Sequence, residues 1–308
     1  MGRPFRAADA ILRGESASEV IAIQPGSISD LQQRLADQHY VADRGLAVSL
    51  FLALRLKRPL FLEGEAGVGK TALAAALAQA LGTDLIRLQC YEGLDVGHAL
   101  YEWDYARQLL YARSLQVEDA DPEQRIRELY SVDFLAERPL LRAIRAGSRA
   151  VLLIDELDRA DDEFEAFLLE VLSEYAVTIP EIGTIAASEP PAVVVTSNRT
   201  RELHDALKRR CLYHWIDFPD LEREVEIIRL RAPDVPEALA RSVAEAVARL
   251  RAADLVKRPG AAEAIDWAAA LRILGAESAD GDAGRATLGW AIKNEEDLRR
   301  AEVILADA

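Results

Sequence analysis

The strongest constraint on the fold is the pattern GxxxxGKT, which runs from Gly64 to Thr71 between an apolar run and an Ala/Leu-rich stretch. A buried strand, a glycine-rich loop and a helix in this order form a site for phosphate groups. Gly64, Gly67 and Gly69 keep the backbone amides open to phosphate oxygens, and the helix N-terminus adds the positive end of its dipole. The pattern therefore predicts a nucleotide-binding loop; the alternative is a plain strand-to-helix turn with an exposed lysine.

The residue types in this loop predict ATP and Mg²⁺ as cofactors. Lys70 is expected to reach the β- and γ-phosphates, and the Thr71 hydroxyl is expected to hold Mg²⁺. Tyr40 and Val41 precede the strand, where a base would bind, although packing in the core explains them equally well. The loop residues predicted to contact the nucleotide are Glu65, Ala66, Gly67, Val68, Gly69, Lys70 and Thr71.

Two acidic residues follow a second apolar run. Residues 151–154 read VLLI, which is typical of a strand buried on both faces, and Asp155 and Glu156 come directly after it. Ligands of open α/β sheets bind at the carboxyl ends of the strands. We therefore expect Asp155 to hold Mg²⁺, directly or through water, and Glu156 to polarise the water that attacks the γ-phosphate. The alternative is an acidic strand end without a catalytic role.

Two further features concern the γ-phosphate. Asn198 ends the apolar run 192–198, where its side chain would orient water beside the phosphate or would only cap the next helix. Lys208, Arg209 and Arg210 form the densest basic cluster of the chain. An arginine of this cluster would neutralise charge on the γ-phosphate of a neighbouring copy. The alternative is a solvated helix C-terminus, where cations are favoured in any case.

Composition restricts the classes of partner. The chain has 308 residues and a formal charge of −15, with 52 acidic against 37 basic residues, so its surface repels nucleic acids and anionic lipid. Its two cysteines lack metal-ligand spacing and indicate reduced thiols. No apolar signal-peptide region and no uncharged run approaching a membrane span is evident. We therefore expect a cytoplasmic protein without a nucleic-acid partner or an integral membrane segment.

The chain divides into three parts by pattern. Residues 1–26 read as an N-terminal arm, 27–219 as an α/β core, and 220–308 as a helical domain. The core carries inserts near 91–130 and 176–188. The first insert is rich in aromatic residues, which form a contact surface or pack the insert onto the core, and the second is predicted to be a hairpin. Residues 133–145 and 285–305 are each predicted to form one helix.

These motifs together resemble the AAA+ ATPases and, within them, the MoxR branch. The stretches that carry the resemblance are PLFLEGEAGVGKTALA at 59–74, LQCYEGLD at 88–95, FLAERPLLRAI at 134–144, and VTIPEIGTI with TSNRTRELHDALKRRCLYHWIDFP within 177–219. The last stretch is similar to a subgroup associated with maturation of carbon monoxide dehydrogenase, a molybdenum hydroxylase. The resemblance implies an α/β P-loop NTPase (AAA+) fold: a parallel five-stranded sheet sandwiched by helices, with a small C-terminal all-α lid.

The resemblance also implies residue roles. Lys70 and Thr71 match the Walker A pair, Asp155 and Glu156 match the Walker B pair, and Asn198 matches sensor 1. Arg210 matches the arginine finger, with Arg209 as the alternative. The family places a second sensor arginine just after a lid proline, but here Gly260 follows Pro259. Lys257 or Arg258 is the expected substitute, and Arg258 is taken as the nucleotide contact.

Partners follow from the same resemblance. The family implies a homo-oligomeric ring, usually a hexamer, a partner protein with a von Willebrand factor A domain, and a client metalloenzyme. The expected activity is ATP hydrolysis that drives remodelling of the client. The alternative is a binding switch, in which ATP occupancy recruits a partner and turnover is slow.

Overall fold

The computed structural model describes residues 24–114 and 122–306. Residues 1–23 of the predicted arm and part of the acidic run in the first insert lie outside this range. The strands of the described residues are β1 (Leu60–Gly64), β2 (Asp84–Gln89), β3 (Tyr101–Trp103), β4 (Leu135–Glu137), β5 (Ala150–Asp155), β6 (Ala176–Ile179), β7 (Gly183–Ala186), β8 (Ala192–Ser197) and β9 (Leu212–Ile216).

Five of these strands form one parallel sheet in the order β2-β5-β8-β1-β9. Side chains alternate between its faces, so Val151 and Leu153 join one core cluster while Leu152 and Ile154 join the other. Both faces are buried along the three central strands, β1, β5 and β8, which explains why these read as continuous apolar runs, whereas the edge strands β2 and β9 expose part of their residues. The predicted five-stranded parallel sheet is confirmed, and the carboxyl ends of β1, β5 and β8 lie side by side.

Helices cover both faces of the sheet. The first three pack on the face with Val151, and α7 packs on β2 and β5 of the opposite face. The helices are α1 (Ile28–Asp37), α2 (Arg44–Leu56), α3 (Lys70–Leu81), α4 (Val96–Ala99), α5 (Tyr105–Ser114), α6 (Pro122–Leu129), α7 (Pro139–Ala146), α8 (Asp162–Glu174), α9 (Asp205–Arg210), α10 (Leu221–Arg231), α11 (Glu237–Ala252), α12 (Ala261–Ile273), α13 (Asp282–Ala286) and α14 (Glu295–Ala306). Short 3₁₀ turns lie at Val132–Phe134, Gly147–Arg149, Leu157–Arg159 and Leu288–Trp290.

The helices from α10 onward enclose a core of their own. Its largest buried side chain is Trp267, whose indole N–H donates to the Thr287 hydroxyl at 2.8 Å. This bond satisfies the one polar atom of the ring, so the indole is buried without an unpaired donor. None of the helices in the described part of the chain has the length and apolar content that a bilayer crossing requires.

The inserts differ in how well their pattern predicts them. The hairpin near 176–188 is present as β6 and β7. The first insert contains an antiparallel pair, β3 with β4, that the sequence did not indicate. Trp103 is buried there and meets the ring of Tyr130 edge-on, with the centroids 5.2 Å apart. Tyr91 and Tyr105 remain exposed, so part of the aromatic set packs the insert and part faces solvent.

Two helix predictions were wrong in extent. Residues 133–145 divide into a 3₁₀ turn, β4 and α7, because the β3 pairing takes 135–137 and Pro139 opens a new helix. Residues 285–305 divide into the end of α13, a 3₁₀ turn and α14. Helical periodicity alone could not separate these pieces, since each buries one apolar face.

Candidate nucleotide-binding site

The GxxxxGKT loop connects β1 to α3 at the carboxyl edge of the sheet. Gly67 and Gly69 adopt φ values of 80° and 95°, a left-handed conformation that side chains disfavour. Gly69 caps the N-terminus of α3 without a side chain, so nothing of its own covers the first amides of the helix. The loop therefore has the geometry that the sequence predicts for a phosphate site.

Lys70 is buried beneath this loop. Its Nζ donates to the carbonyl oxygens of Gly64 and Glu65, each at 2.7 Å. Burial lowers the pKa of its ammonium group, and the negative charges of Asp158 and Asp155 oppose that change. A buried cation held only by carbonyls keeps a strong attraction for an anion placed above the loop.

Asp155 lies at the end of β5 with 1% of its surface exposed. The Thr71 hydroxyl donates to its two carboxylate oxygens at 3.0 and 3.2 Å, and the Thr196 hydroxyl donates to Oδ1 at 2.6 Å. Arg87 on β2 donates to Oδ2 from Nε at 3.0 Å and from Nη2 at 2.6 Å. The structure thus brings Thr71 and Asp155 into contact although they are far apart in the sequence.

The donor set here fits Mg²⁺. Thr71 and Asp155 offer a hydroxyl and a carboxylate, the hard oxygen ligands that Mg²⁺ prefers. Among the described residues no cluster of three or more His, Cys, Asp or Glu could form an all-protein metal cage. A Mg²⁺ ion held by one or two protein oxygens and by substrate phosphates is the usual arrangement in ATP sites.

Glu156 follows Asp155 in a left-handed conformation, with φ 54°. Its N–H donates to the Thr196 hydroxyl at 2.9 Å, which fixes this uncommon backbone. Its carboxylate accepts from Asn198 Nδ2 at 3.3 Å on Oε1, and from Gln89 Nε2 at 3.0 Å and Arg159 Nη1 at 3.2 Å on Oε2. Both oxygens are therefore engaged by donors.

Asn198 and Asp158 connect the tips of β8 and β5. The backbone N–H of Asn198 donates to Asp158 Oδ1 at 3.1 Å, and the Thr200 N–H donates to Oδ2 at 2.8 Å. Asp158 is buried, so the two bonds hold the turn after β8 in a defined place. The side-chain amide of Asn198 consequently points at Glu156.

The phosphate loop, the two acids of β5 and Asn198 line a pocket of about 550 Å³, within the usual size range of ligand sites. Tyr40 and Val41 are part of its lining, and a Cβ added at Gly69 would lie 3.7 Å from the Tyr40 ring. Burial raises the pKa of the Tyr40 hydroxyl, which keeps it neutral. The predicted contacts that line the pocket are Tyr40, Val41, Ala66, Gly67, Val68, Gly69, Lys70, Thr71, Asp155, Glu156 and Asn198.

The helical domain closes one side of the pocket through its backbone. The Ala261 N–H donates to the Gly67 carbonyl at 2.9 Å, and Gly260 lies so close that a Cβ there would come 2.7 Å from the Gly67 Cα. The family resemblance implies an arginine at the position of Gly260, and here the Gly260 backbone packs directly against the Gly67 backbone. Arg258 is exposed and lies outside the pocket lining, so its predicted contact with the nucleotide stays a prediction.

Three other predicted residues do not line the pocket. Glu65 contributes only its carbonyl oxygen, which accepts from Lys70. Arg209 and Arg210 lie at the end of α9, close to the start of β1, and Arg58 donates to the carbonyl oxygens of both. They are at the opposite edge of the sheet from the loop, so they cannot serve the site of their own chain.

Four site residues were missed by the sequence analysis: Arg87, Gln89, Thr196 and Arg223. Thr196 precedes Asn198 by two positions in the same apolar run, a signal that could have found it. Arg223 donates to the Val41 carbonyl at 2.8 Å and lines the pocket from α10. Nothing in the sequence indicates its partner, because the contact joins two domains.

Comparisons with known proteins extend these observations. Residues 59–211 match a family model described as AAA domain, dynein-related subfamily. The chain is 27% identical over 194 residues to gas vesicle ATPase GvpN of Haloferax mediterranei, across 59% of this chain and 53% of that protein. It is 25% identical over 200 residues to protein NorQ of Paracoccus denitrificans, across 62% of this chain and 65% of that protein.

Among solved structures, the chain is similar to the Thermotoga maritima RuvB Holliday junction branch migration motor. The TM-score is 0.46 and the identity 20%, over 86% of this chain and 72% of that chain. The match to the AAA domain covers the loop, the acidic pair and β8 with the Asn198 that follows it, all of which contribute to the pocket lining.

Proposed function

Because its AAA domain and its relatives indicate a MoxR-like AAA+ ATPase, we propose that this protein binds Mg²⁺-ATP in the pocket and hydrolyses it to ADP and phosphate. The observation that carries the proposal is the contact of Thr71 with Asp155 beside the buried Lys70. These three groups are the minimum that grips a triphosphate and its metal ion.

Each residue has a role in the proposed reaction. Lys70 and the loop amides bind the β- and γ-phosphates, while Thr71 and Asp155 would hold Mg²⁺, which neutralises phosphate charge when bound. Glu156 accepts a proton from the attacking water, and Asn198 orients that water. The P–O bond to ADP breaks as the new P–O bond to water forms.

Three donors hold the Glu156 carboxylate. Asn198 donates to Oε1, and Gln89 and Arg159 donate to Oε2, so the side chain is fixed in this arrangement. The same observation favours a second candidate function, a nucleotide-dependent binding switch with slow turnover. A switch needs ATP to be held, not to be consumed.

Two variants and a matched control would test the site. Lys70→Ala removes the phosphate-binding cation, so ATP binding measured by calorimetry should be lost. Glu156→Gln keeps the shape of the side chain but removes the base, so ATP should still bind while phosphate release falls by about 100-fold or more. Glu174→Gln, at an exposed glutamate of α8, should leave both measurements unchanged. Undiminished turnover in Glu156→Gln would contradict the assignment.

The placement of Arg210 and Arg209 away from the pocket supports a role in a neighbouring copy of the chain. We propose that a ring, most simply a hexamer, places Arg210, or Arg209 in its stead, against the γ-phosphate of the next copy. Lys70→Ala and Arg210→Ala should each be inactive alone. Mixing them should restore part of the activity, because some sites then combine an intact Lys70 with an intact Arg210. A mixture that stays inactive would contradict action in trans.

The chain's role in the cell is proposed from the family resemblance. We propose that the ring remodels a client metalloenzyme of the molybdenum hydroxylase class, such as carbon monoxide dehydrogenase, together with a protein that carries a von Willebrand factor A domain. The Glu156→Gln variant separates the two candidate functions. A remodeller would trap its client in the ATP state and release no active enzyme, whereas a switch would support full client activity without hydrolysis.

A further inference from the structure

Arg87 forms an ion pair that the proposed reaction does not use. It lies on β2, the edge strand beside β5, and two of its nitrogens donate to one oxygen of Asp155. The Asp155 side chain is 2% exposed and that of Arg87 is 51% exposed. A half-exposed arginine thus supplies the counter-charge of a buried carboxylate, and it reaches that carboxylate from outside the pocket lining.

The same guanidinium orients a second residue. Arg87 Nη2 also donates to the Gln89 side-chain oxygen, two positions farther along the same face of β2. With its oxygen held by Arg87, the Gln89 amide turns its NH₂ toward Glu156 and donates to Oε2 at 3.0 Å. A continuous chain of contacts therefore runs from Asp155 through Arg87 and Gln89 to Glu156.

We propose that Arg87 is a positioning residue that competes with the divalent cation for Asp155 and holds Glu156 while the cation is absent. The inference rests on the proposed function, since it assigns the metal to Thr71 and Asp155. While Arg87 neutralises Asp155, the carboxylate attracts a cation less strongly. Once a cation takes over that charge, the guanidinium is no longer held at Asp155, and Gln89 loses the contact that aims its amide at Glu156.

The direction of the competition follows from charge. A guanidinium and a divalent cation that share one carboxylate repel each other across a few ångströms, and burial of Asp155 limits screening by water. Removing the guanidinium should therefore strengthen metal binding. A residue that merely supported the fold would weaken metal binding when removed, because Asp155 would lose its fixed orientation. The two roles predict changes of opposite sign.

The test measures the affinity of the protein for ADP in Mg²⁺ and again in EDTA. The ratio of the affinity in Mg²⁺ to the affinity in EDTA gives the contribution of the metal. Arg87→Gln in the 308-residue chain should raise this ratio about tenfold, since it removes one charge next to a buried ligand. The EDTA affinity itself should change little, because Arg87 does not line the pocket. Arg87→Lys keeps the charge and should leave the ratio near that of the unaltered chain. Its kcat at saturating Mg²⁺-ATP should also match that of the unaltered chain, because the bound cation has by then displaced the cationic side chain from Asp155.

Arg159→Gln is the matched control, because Arg159 is similarly exposed and donates to Glu156 but not to Asp155. It should leave the Mg²⁺ ratio unchanged. Urea midpoints of all variants establish that they are folded. A ratio that falls or stays constant in folded Arg87→Gln overturns this inference alone, provided that the unaltered chain binds Mg²⁺-ADP. An unaltered chain that binds neither ADP nor Mg²⁺-ATP overturns the proposed function and this inference with it.

Discussion

Replacing Gly260 with alanine should detach the helical domain from the phosphate loop. The added Cβ would lie 2.7 Å from the Gly67 Cα and 2.9 Å from its carbonyl carbon, both well inside ordinary contact distance. Gly260 itself has φ −83° and ψ −178°, an extended backbone that alanine adopts without strain. The added Cβ would also lie 2.8 Å from Glu263 Oε2, the end of a side chain that can rotate, so most of the expected cost comes from the backbone of Gly67.

The magnitude follows from that contact. Overpacking against backbone atoms costs about 1–3 kcal/mol, because a backbone cannot rotate away as a side chain can. The docked arrangement therefore loses about 1–3 kcal/mol, which lowers the docking equilibrium by about 5- to 150-fold.

Hydrogen exchange of the Ala261 amide measures the docking equilibrium of the helical domain directly, because this N–H donates to the Gly67 carbonyl only in the docked arrangement. In Gly260→Ala, exchange should accelerate by about 5- to 150-fold, and ATP should bind more weakly because the pocket loses one wall. Gly289→Ala is the control, as a Cβ at Gly289 meets nothing within 4 Å. Unchanged Ala261 exchange in a folded Gly260→Ala protein would refute the reasoning.

Two further predictions concern stability. Burial lowers the pKa of His214 from its usual 6.5, and Arg223 lowers it further, so the unfolded chain binds a proton before the folded one does. The stability that neutral His214 contributes is complete above pH 6.5 and is lost as the pH falls below that value. His214→Gln should therefore reduce the change in the urea midpoint between about pH 7.5 and about pH 5.5. Arg251 pairs through two nitrogens with Glu224, which is 1% exposed, so Arg251→Met should lower the free energy of unfolding by about 3–5 kcal/mol. Adding Glu224→Gln should recover much of that loss; a double variant no more stable than the single one would argue against a buried-charge penalty.

The sequence determined the parts of the site that local chemistry specifies. The phosphate loop needs particular residues at fixed spacing, and the acids at 155 and 156 follow directly from a buried strand, so both were predicted from neighbours in the chain. The same is true of the three central strands, β1, β5 and β8, because a strand buried on both faces must be largely apolar. The sheet and the loop geometry agree with those predictions.

Only the tertiary structure decided which residues meet across the sheet. In the strand order β2-β5-β8-β1-β9, Arg87 and Gln89 of β2 lie beside Asp155 and Glu156, and Thr196 of β8 contacts Asp155 from the other side. No spacing in the sequence indicates these contacts. The tertiary structure also packs Gly260 against the Gly67 backbone and leaves Arg258 outside the pocket. The reason is physical: backbone preference and apolar pattern act between near neighbours, whereas the choice of strand partners and domain contacts depends on how the whole chain buries its surface.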